Sequence, residues 1–173
     1  MAEEEGVEAS VEQQVNGEDN EPEYRLIMQY VKDLSFENPN SPAVYQWQSQ
    51  PKIDVQVNIG AQSLGGDVHE VALRLDVTAS ADDGTAFKVD LLYAGLFGVR
   101  NAPEEQFHPF ILAEAPRLLF PFARRVISDA VRDGGFPPLV LDPIDFGALY
   151  MQRAAQAQAE LGEGQAPEVT GQA

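Results

Sequence analysis

The sequence predicts an α+β fold, in which a four-stranded antiparallel sheet packs against one long helix and one short C-terminal helix. Two observations lead to this prediction. Apolar and polar residues alternate with a period of two along four stretches, which is typical of strands with one buried face. All of the helical periodicity follows the last of these stretches, so strands and helices occupy separate parts of the chain.

The most regular predicted strand is 67–79, where most odd-numbered residues are apolar and most even-numbered residues are polar. Two further alternating stretches flank it, one at 52–60 and one at 87–93. The links at 65–67 and 82–84 are short and rich in glycine and aspartate, residues that tolerate a positive φ. We therefore expect these three strands to pair as consecutive antiparallel hairpins.

The first strand is predicted at 24–37, and the proline-containing segment 38–42 ends it. The connection that continues to Pro51 is too long for a hairpin, so it should cross to a non-adjacent position in the sheet. It contains Tyr45 and Trp47, the only tryptophan. An aromatic pair in a loop is either a plug of the core or part of a binding surface, and the plug is favoured on sequence alone.

A long helix is predicted from the capping-box pattern Asn101-x-x-Glu104 to about residue 132, ending at Gly134-Gly135. Prolines in this segment should bend or locally break it, because each removes a backbone hydrogen bond. The prolines concerned are Pro109, Pro116 and Pro121.

The apolar residues of this helix cover roughly 200° of its circumference, about twice the stripe that an ordinary surface helix needs. One sheet cannot cover so wide a surface, and we expect the helix to mediate self-association, with two-fold symmetry. The predicted interface residues are Leu118, Leu119, Phe122, Val126 and Ile127.

A second, shorter helix is predicted after Asp142-Pro143, with apolar residues at i, i+3 and i+4. The chain then divides into an acidic, disordered N-terminal tail at 1–23, one folded domain at 24–153 and a disordered C-terminal tail at 154–173. The tails hold nine and three acidic residues and no basic ones, which leaves only −5 of the net charge of −17 in the domain.

Charge and composition exclude several classes of function. Nucleic acid is not an expected partner, because phosphate binding requires a clustered basic surface. The chain has no cysteine, no basic-then-apolar leader and no long apolar run, so we expect a cytoplasmic protein that does not insert into the membrane. The acidic tails are compatible with a basic protein partner, although a solubilising role is the simpler interpretation.

No motif for catalysis is found, and we expect neither an enzyme nor a cofactor or metal. There is no phosphate-binding loop, dinucleotide fingerprint or nucleophile elbow. The two histidines lack a metal-binding pattern, and His69 is predicted to be a structural residue of its strand. The alternative is a hotdog-type acyl-binding enzyme, in which a small sheet wraps one long helix. In that fold the helix comes early, whereas here it follows all four strands.

Several segments together resemble the SecB family of bacterial protein-export chaperones. They are YVKDLSFENPNSP at 30–42, EVALRLDVTAS at 70–80 and LLFPFARRVISDAVRDGGFPPLVLDPIDFGALY at 118–150, and the acidic tails add to the likeness. The resemblance covers about residues 24–153. It implies a homotetramer built as a dimer of dimers, with the long helices buried between the dimers.

The function that the resemblance implies is an ATP-independent holdase, which binds unfolded secretory precursors and delivers them to the SecA translocation motor. Such clients need a broad apolar groove, because they share apolar content rather than sequence. The candidate groove residues are Tyr45 and Trp47 in the crossover, Val55, Val57 and Ile59 in the second strand, and Phe146, Leu149 and Tyr150 in the short helix.

For SecA, the resemblance implies an acidic surface on the sheet that attracts a basic, zinc-containing tail of the motor. The corresponding residues are Asp33 and Glu37 in the first strand and Asp90 in the fourth, with Lys88 at the position of a family leucine. All four have the polar parity of their strands. Without the resemblance, an ordinary solvated strand face would be the favoured interpretation.

Overall fold

Four long strands and three helices follow one another in the order that the sequence predicts. The computed structural model describes residues 20–163, and the predictions for 1–19 and 164–173 in the two tails lie outside the described residues. The strands are β1 Glu23–Glu37, β2 Lys52–Gly65, β3 Val68–Ala81 and β4 Gly84–Arg100, and the helices are α1 Glu104–Pro109, α2 Ala115–Asp133 and α3 Phe146–Glu163.

The strands form one antiparallel sheet in the order β1-β4-β3-β2. The two predicted hairpins, β2-β3 and β3-β4, are confirmed. The predicted crossover is also confirmed, since β1 pairs with β4 and not with β2. A short 3-10 helix at Ala43–Gln46 lies within this crossover. Strands β1 and β2 therefore form the two edges of the sheet.

The core lies between the sheet and α2. In β3 the odd-numbered residues from Val71 to Val77 are at most 1% exposed, and Leu119, Ala123 and Ile127 of α2 are fully buried. Gly95 allows the close approach of the helix, because a Cβ atom there would lie 2.8 Å from the Leu119 Cδ2 atom. We call this side of the sheet the covered face and the opposite side the open face.

Two register shifts in β1 explain why its alternation is imperfect in the sequence. They lie between Leu26 and Met28 and between Val31 and Asp33. Each inserted residue shifts the side-chain parity of the strand by one position. As a result Val31 and Leu34, although of opposite parity, both lie opposite buried residues of β4, on the covered face.

The predicted long helix is divided into three segments. A π-helical turn at Phe110–Glu114 separates α1 from α2, directly after Pro109 and before Pro116. The local break predicted from the prolines is therefore confirmed, because a ring without an N–H cannot continue the regular hydrogen bonding of the helix. Pro121, by contrast, lies within α2.

The structure corrects two predicted helix boundaries. The residue that precedes the first turn is Pro103 rather than Asn101. At the other end α3 continues to Glu163, through residues that the sequence analysis places in a disordered tail from 154. This segment is rich in Ala, Gln and Glu, and these residues have a high helix propensity, which allows the helix to continue beyond its apolar contacts.

Candidate functional site

The open face of the sheet brings together all four residues predicted for a partner surface. Glu37 lies opposite Lys88 in the β1-β4 pair, Asp90 lies opposite Ser35, and Asp33 lies opposite Leu92. Directly opposed residues of paired strands have side chains on the same face of the sheet. Asp33, Glu37, Lys88 and Asp90 thus form one polar surface across two strands, as their parity predicts.

Two residues of β3 that the sequence analysis did not select extend this polar surface. Asp76 lies directly opposite Asp90, and Arg74 connects the two carboxylates. The Arg74 Nη2 atom is 2.6 Å from Asp90 Oδ2, and its Nε atom is 3.7 Å from Asp76 Oδ2. Arg74 and Asp76 lie at polar positions of the alternating pattern of β3. The pairing of β3 with β4 was the signal that could have identified them, because it places Asp76 opposite Asp90.

The environment of the neighbouring carboxylates Asp76 and Asp90 shifts the pKa of Asp76. Burial, followed by the neighbouring charge of Asp90, raises the pKa of Asp76, and the hydrogen bond to Asp90 raises the pKa of Arg74. Arg74 neutralises only part of this acidic surface. The same face also holds Asp33, Glu37 and Lys88, so the carboxylates of this surface outnumber its basic groups.

A second polar cluster on the open face surrounds Glu70, the only polar or charged residue within 20–163 that is buried. Its carboxylate accepts hydrogen bonds from the Tyr30 hydroxyl, from Lys32 Nζ at 2.6 Å and from Gln62 Nε2 at 2.9 Å. The bond from Lys32 lowers the pKa of Glu70, while the bond to Glu70 raises the pKa of Tyr30 to about 12. This cluster connects β1, β3 and β2 and holds the open face together.

Part of the predicted apolar groove forms at the β2 edge. Ile59 of β2, Leu149 and Tyr150 of α3 and Leu112 of the π-helical turn line a cavity of about 220 Å³, together with Arg153 and Ala154. We call this cavity the β2 groove. Leu112 lies within the predicted long helix and Arg153 at the end of the predicted domain, and no local motif marks either residue as part of a groove.

The structure does not bring the other predicted groove residues to this cavity. Val57 and Val55 lie on the same face of β2, further along the strand, and Val55 is 36% exposed. The prediction that Phe146 lines the groove is wrong. Phe146 is only 2% exposed, and its ring lies 5.8 Å from that of Phe120, within the core. Phe146 is the first residue of α3 and faces inward, because this end of α3 lies against α2.

The two aromatic residues of the crossover lie at the far end of the sheet. Trp47 is half-buried, packs against the core and has its ring beside Gly84 in the β3-β4 turn, as expected for a plug. Tyr45 is 51% exposed, and its hydroxyl donates a hydrogen bond to the carbonyl of Gly134 over 2.8 Å. Asn38 Nδ2 in turn donates to the Tyr45 hydroxyl over 2.7 Å.

The predicted interface residues of α2 separate into two groups. Leu119 and Ile127 are fully buried within a single chain, so their assignment to an interface between chains is wrong. Their side of the helix packs on the sheet. Leu118 and Phe122 are 44% and 43% exposed and lie on the outer side, and Val126 is half-buried.

The sequence matches known proteins along most of its length. The family model described as "Preprotein translocase subunit SecB" matches residues 17–157. The chain belongs to the SecB family. A relative named protein-export protein SecB, from Sphingopyxis alaskensis, is 63% identical over 152 residues, which cover 87% of this chain and 88% of the relative. The SecB protein of Rhizorhabdus wittichii is 66% identical over 150 residues, which cover 87% of this chain and 90% of the relative.

A solved structure has the same fold. A SecB-like chaperone of Mycobacterium tuberculosis, in complex with a ChAD peptide from the HigA1 antitoxin, aligns with a TM-score of 0.58 at 14% identity. The alignment covers 70% of this chain and 90% of that protein.

The described residues also bear on two other classes of function. Among residues 20–163, no group of three or more His, Cys, Asp or Glu side chains is placed to hold a metal ion. None of the helices in the same part of the chain is long and apolar enough to cross a membrane.

Proposed function

We propose that this chain is an ATP-independent holdase of the cytoplasm, which binds unfolded precursors and keeps them competent for export. The observation that carries the proposal is the match to the SecB family over residues 17–157, with relatives named as export proteins. The β2 groove supports it, because its walls are mainly apolar and it lies at an open edge of the sheet. The SecB-like chaperone with a bound peptide provides a further parallel.

The alternative, a hotdog-type enzyme, is not favoured. Helices α1 and α2 follow all four strands, and the family match is to a chaperone. An acyl-binding enzyme would also need an acid or a histidine at its cavity, whereas the residues that line the β2 groove include neither, and the charged residue among them is Arg153.

The direct test is to measure whether the protein, without nucleotide, slows the aggregation of an unfolded secretory precursor at stoichiometric amounts. Leu149→Gln should weaken this effect, because it places an amide in the β2 groove. Leu161→Gln is the matched control on the same helix, since Leu161 is 76% exposed. Equal activity of the two variants would contradict the groove assignment, and a wild-type protein without effect would contradict the holdase.

We further propose that the polar surface of Asp33, Glu37, Lys88 and Asp90 binds the SecA motor. The four residues share the open face, and the adjacent Asp76 adds to its negative charge. The double variant Asp33→Lys with Glu37→Lys should weaken SecA binding and leave precursor binding intact, because it reverses charge only on this face. The matched control is Asp82→Lys with Asp83→Lys, in the β3-β4 turn, and an equal loss in both would contradict the assignment.

The assembly that we propose is a homotetramer, formed as a dimer of dimers. Leu118 and Phe122 support it, since two large apolar side chains are exposed on the outer side of α2. Val31 and Leu34 of β1 are also exposed, on the covered face of the sheet. Each of these two exposed apolar pairs is a surface that a second copy of the chain can bury.

A further inference from the structure

Arg74 lies among the carboxylates of the proposed SecA surface. It is on β3, opposite Leu92 of β4, and Leu92 in turn lies opposite Asp33 of β1. The Arg74 Nη2 atom is 2.6 Å from Asp90 Oδ2, and its Nε atom is 3.7 Å from Asp76 Oδ2. The hydrogen bond to Asp90 is the main cause that raises the pKa of Arg74, and the charges of Asp76 and Asp33 add to it. One guanidinium therefore interacts with three of these carboxylates.

Arg74 is the basic residue that this surface provides for its own carboxylates. In the described part of the chain, the ion pairs that these carboxylates form are the two that join Asp76 and Asp90 to Arg74. Lys88, the other basic residue of the surface, lies opposite Glu37, but no ion pair among the described residues joins it to a carboxylate. The place where a basic group binds on this surface is therefore the place that Arg74 occupies.

A cavity of about 320 Å³ opens beside this ion pair. Its lining includes the carboxylates of Glu37, Asp76 and Asp90, the hydroxyls of Ser35 and Thr78, and Lys88. Carboxylates form strong charge-assisted hydrogen bonds with lysine and arginine side chains. A basic side chain of a partner that enters this cavity would therefore meet the two carboxylates that Arg74 holds.

The contacts of Arg74 can be exchanged for contacts with a partner. The side chain of Arg74 is 46% exposed, and those of Asp76 and Asp90 are 37% and 36% exposed. Ion pairs with this degree of exposure contribute little net stability, because water solvates each group when the pair opens. Opening the pair therefore costs the fold little, whereas a bound partner excludes water from the carboxylates and strengthens its own bonds to them.

We propose that Arg74 is an internal competitor of SecA, which occupies Asp76 and Asp90 until a basic side chain of SecA replaces it. This inference rests on the proposed SecA site and specifies how that site is regulated. A basic segment that reaches only this pair gains little, because one ion pair is lost for each one that forms. A partner that also contacts Asp33 and Glu37 gains further ion pairs. Arg74 thus raises the affinity that a partner needs in order to bind.

The first experiment measures the affinity of full-length SecA by calorimetry at about 0.15 M salt, where a Debye length of about 8 Å screens distant charges. Arg74→Ala removes the competitor and should tighten binding by about two- to fivefold. The matched control is Lys52→Ala, which removes the same charge from an exposed position on the open face of β2 and should leave the affinity unchanged. Equal tightening in both variants, or none in Arg74→Ala, would overturn the proposal.

Two further variants test whether Arg74 acts through the carboxylate that it contacts. In a protein that already carries Asp90→Asn, an amide replaces this carboxylate, so adding Arg74→Ala should tighten SecA binding by less than about 1.5-fold. Tightening by the same factor with Asp90 and with Asp90→Asn would overturn the competitor role. Arg74→Gln loses the charge and keeps a polar side chain. It should behave like Arg74→Ala, and it takes its place if Arg74→Ala does not fold.

A cryo-EM structure of the wild-type protein with SecA gives the direct readout. Arg74 should be turned away from Asp90, with a lysine or arginine of SecA within about 4 Å of the Asp90 carboxylate. Arg74 still bound to Asp90 in the complex would overturn the proposal. The SecA site is tested separately, since unchanged SecA affinity in Asp33→Lys with Glu37→Lys would refute the site and this inference with it. If that double variant weakens binding and Arg74→Ala does not tighten it, only the role of Arg74 is wrong.

Discussion

The hydroxyl of Tyr45 joins the crossover to the end of the long helix by donating a hydrogen bond to the carbonyl of Gly134 over 2.8 Å. Asn38 supports the same contact, with Nδ2 at 2.7 Å from the Tyr45 hydroxyl and 3.3 Å from the Gly134 carbonyl. Gly135, with a φ of +85°, lies under the ring, where a Cβ atom would be 3.1 Å from Tyr45. Tyr45 therefore fastens the crossover and does not line the β2 groove.

This contact predicts a specific effect of Tyr45→Phe. The variant keeps the ring and loses the hydroxyl, so it should lower the free energy of unfolding by about 1 kcal/mol and increase proteolysis within residues 38–51. Denaturant titration and limited proteolysis measure the two effects. Tyr24→Phe is the control, since the Tyr24 hydroxyl has only a 3.4 Å contact with Gln106. Equal changes in both variants would show that the Tyr45 contact is not important.

Neighbouring residues of α2 should affect different properties. Leu119→Ala should lower the free energy of unfolding by about 2–5 kcal/mol, because Leu119 is fully buried in the core. Leu118→Ala with Phe122→Ala should leave the folded chain intact and reduce the number of subunits, because both side chains are exposed on a single chain. Sedimentation velocity measures assembly. An unchanged tetramer in the double variant would contradict the proposed interface.

Glu70 should make stability depend on pH at acidic values. Its folded-state pKa is lowered from the ordinary value of 4.5, so its contribution is present above pH 4.5 and is lost as the pH falls through the lowered pKa. At pH 7 we expect Glu70→Gln to lower the free energy of unfolding by about 1–3 kcal/mol, a difference that shrinks below pH 4.5. Asp76 titrates in both proteins and cancels from the difference.

Urea titrations of wild type and variant at several pH values measure this effect. Asp54→Asn is the control, because Asp54 is an exposed carboxylate on the open face of β2. A difference between wild type and Glu70→Gln that is constant across the range would show that the charge of Glu70 does not stabilise the fold.

Gly134 is predicted to be required for packing rather than for its backbone angle. Its φ is −75°, which any residue can adopt, but a Cβ atom there would overlap the ring of Phe36. Gly134→Ala should therefore lower the free energy of unfolding by about 1–3 kcal/mol. Gly60→Ala is the control, since no atom lies within 4 Å of the position of its Cβ atom. Equal thermal stability of the two variants would contradict this prediction.

The sequence alone was sufficient for the order of elements, the two hairpins and the crossover. Strand alternation and turn residues are local properties of the sequence. The apolar faces of β3 and α2 can be predicted as well, because each element must bury one side. The resemblance to the SecB family selected Asp33, Glu37, Lys88 and Asp90, and their parity predicted that they lie on the polar faces of their strands, since side chains of one parity share a face of a regular strand.

Only the tertiary structure decided which apolar residues are core and which remain exposed. Leu118 and Leu119 are equally apolar neighbours, and it is the position of the sheet that buries one of them. The full lining of the β2 groove also required the tertiary structure. Ile59, Leu149 and Tyr150 were predicted, but Leu112 and Arg153 were not, because the lining residues come from three elements that are far apart in the chain. Their approach depends on long-range packing, and no local pattern of residues records it.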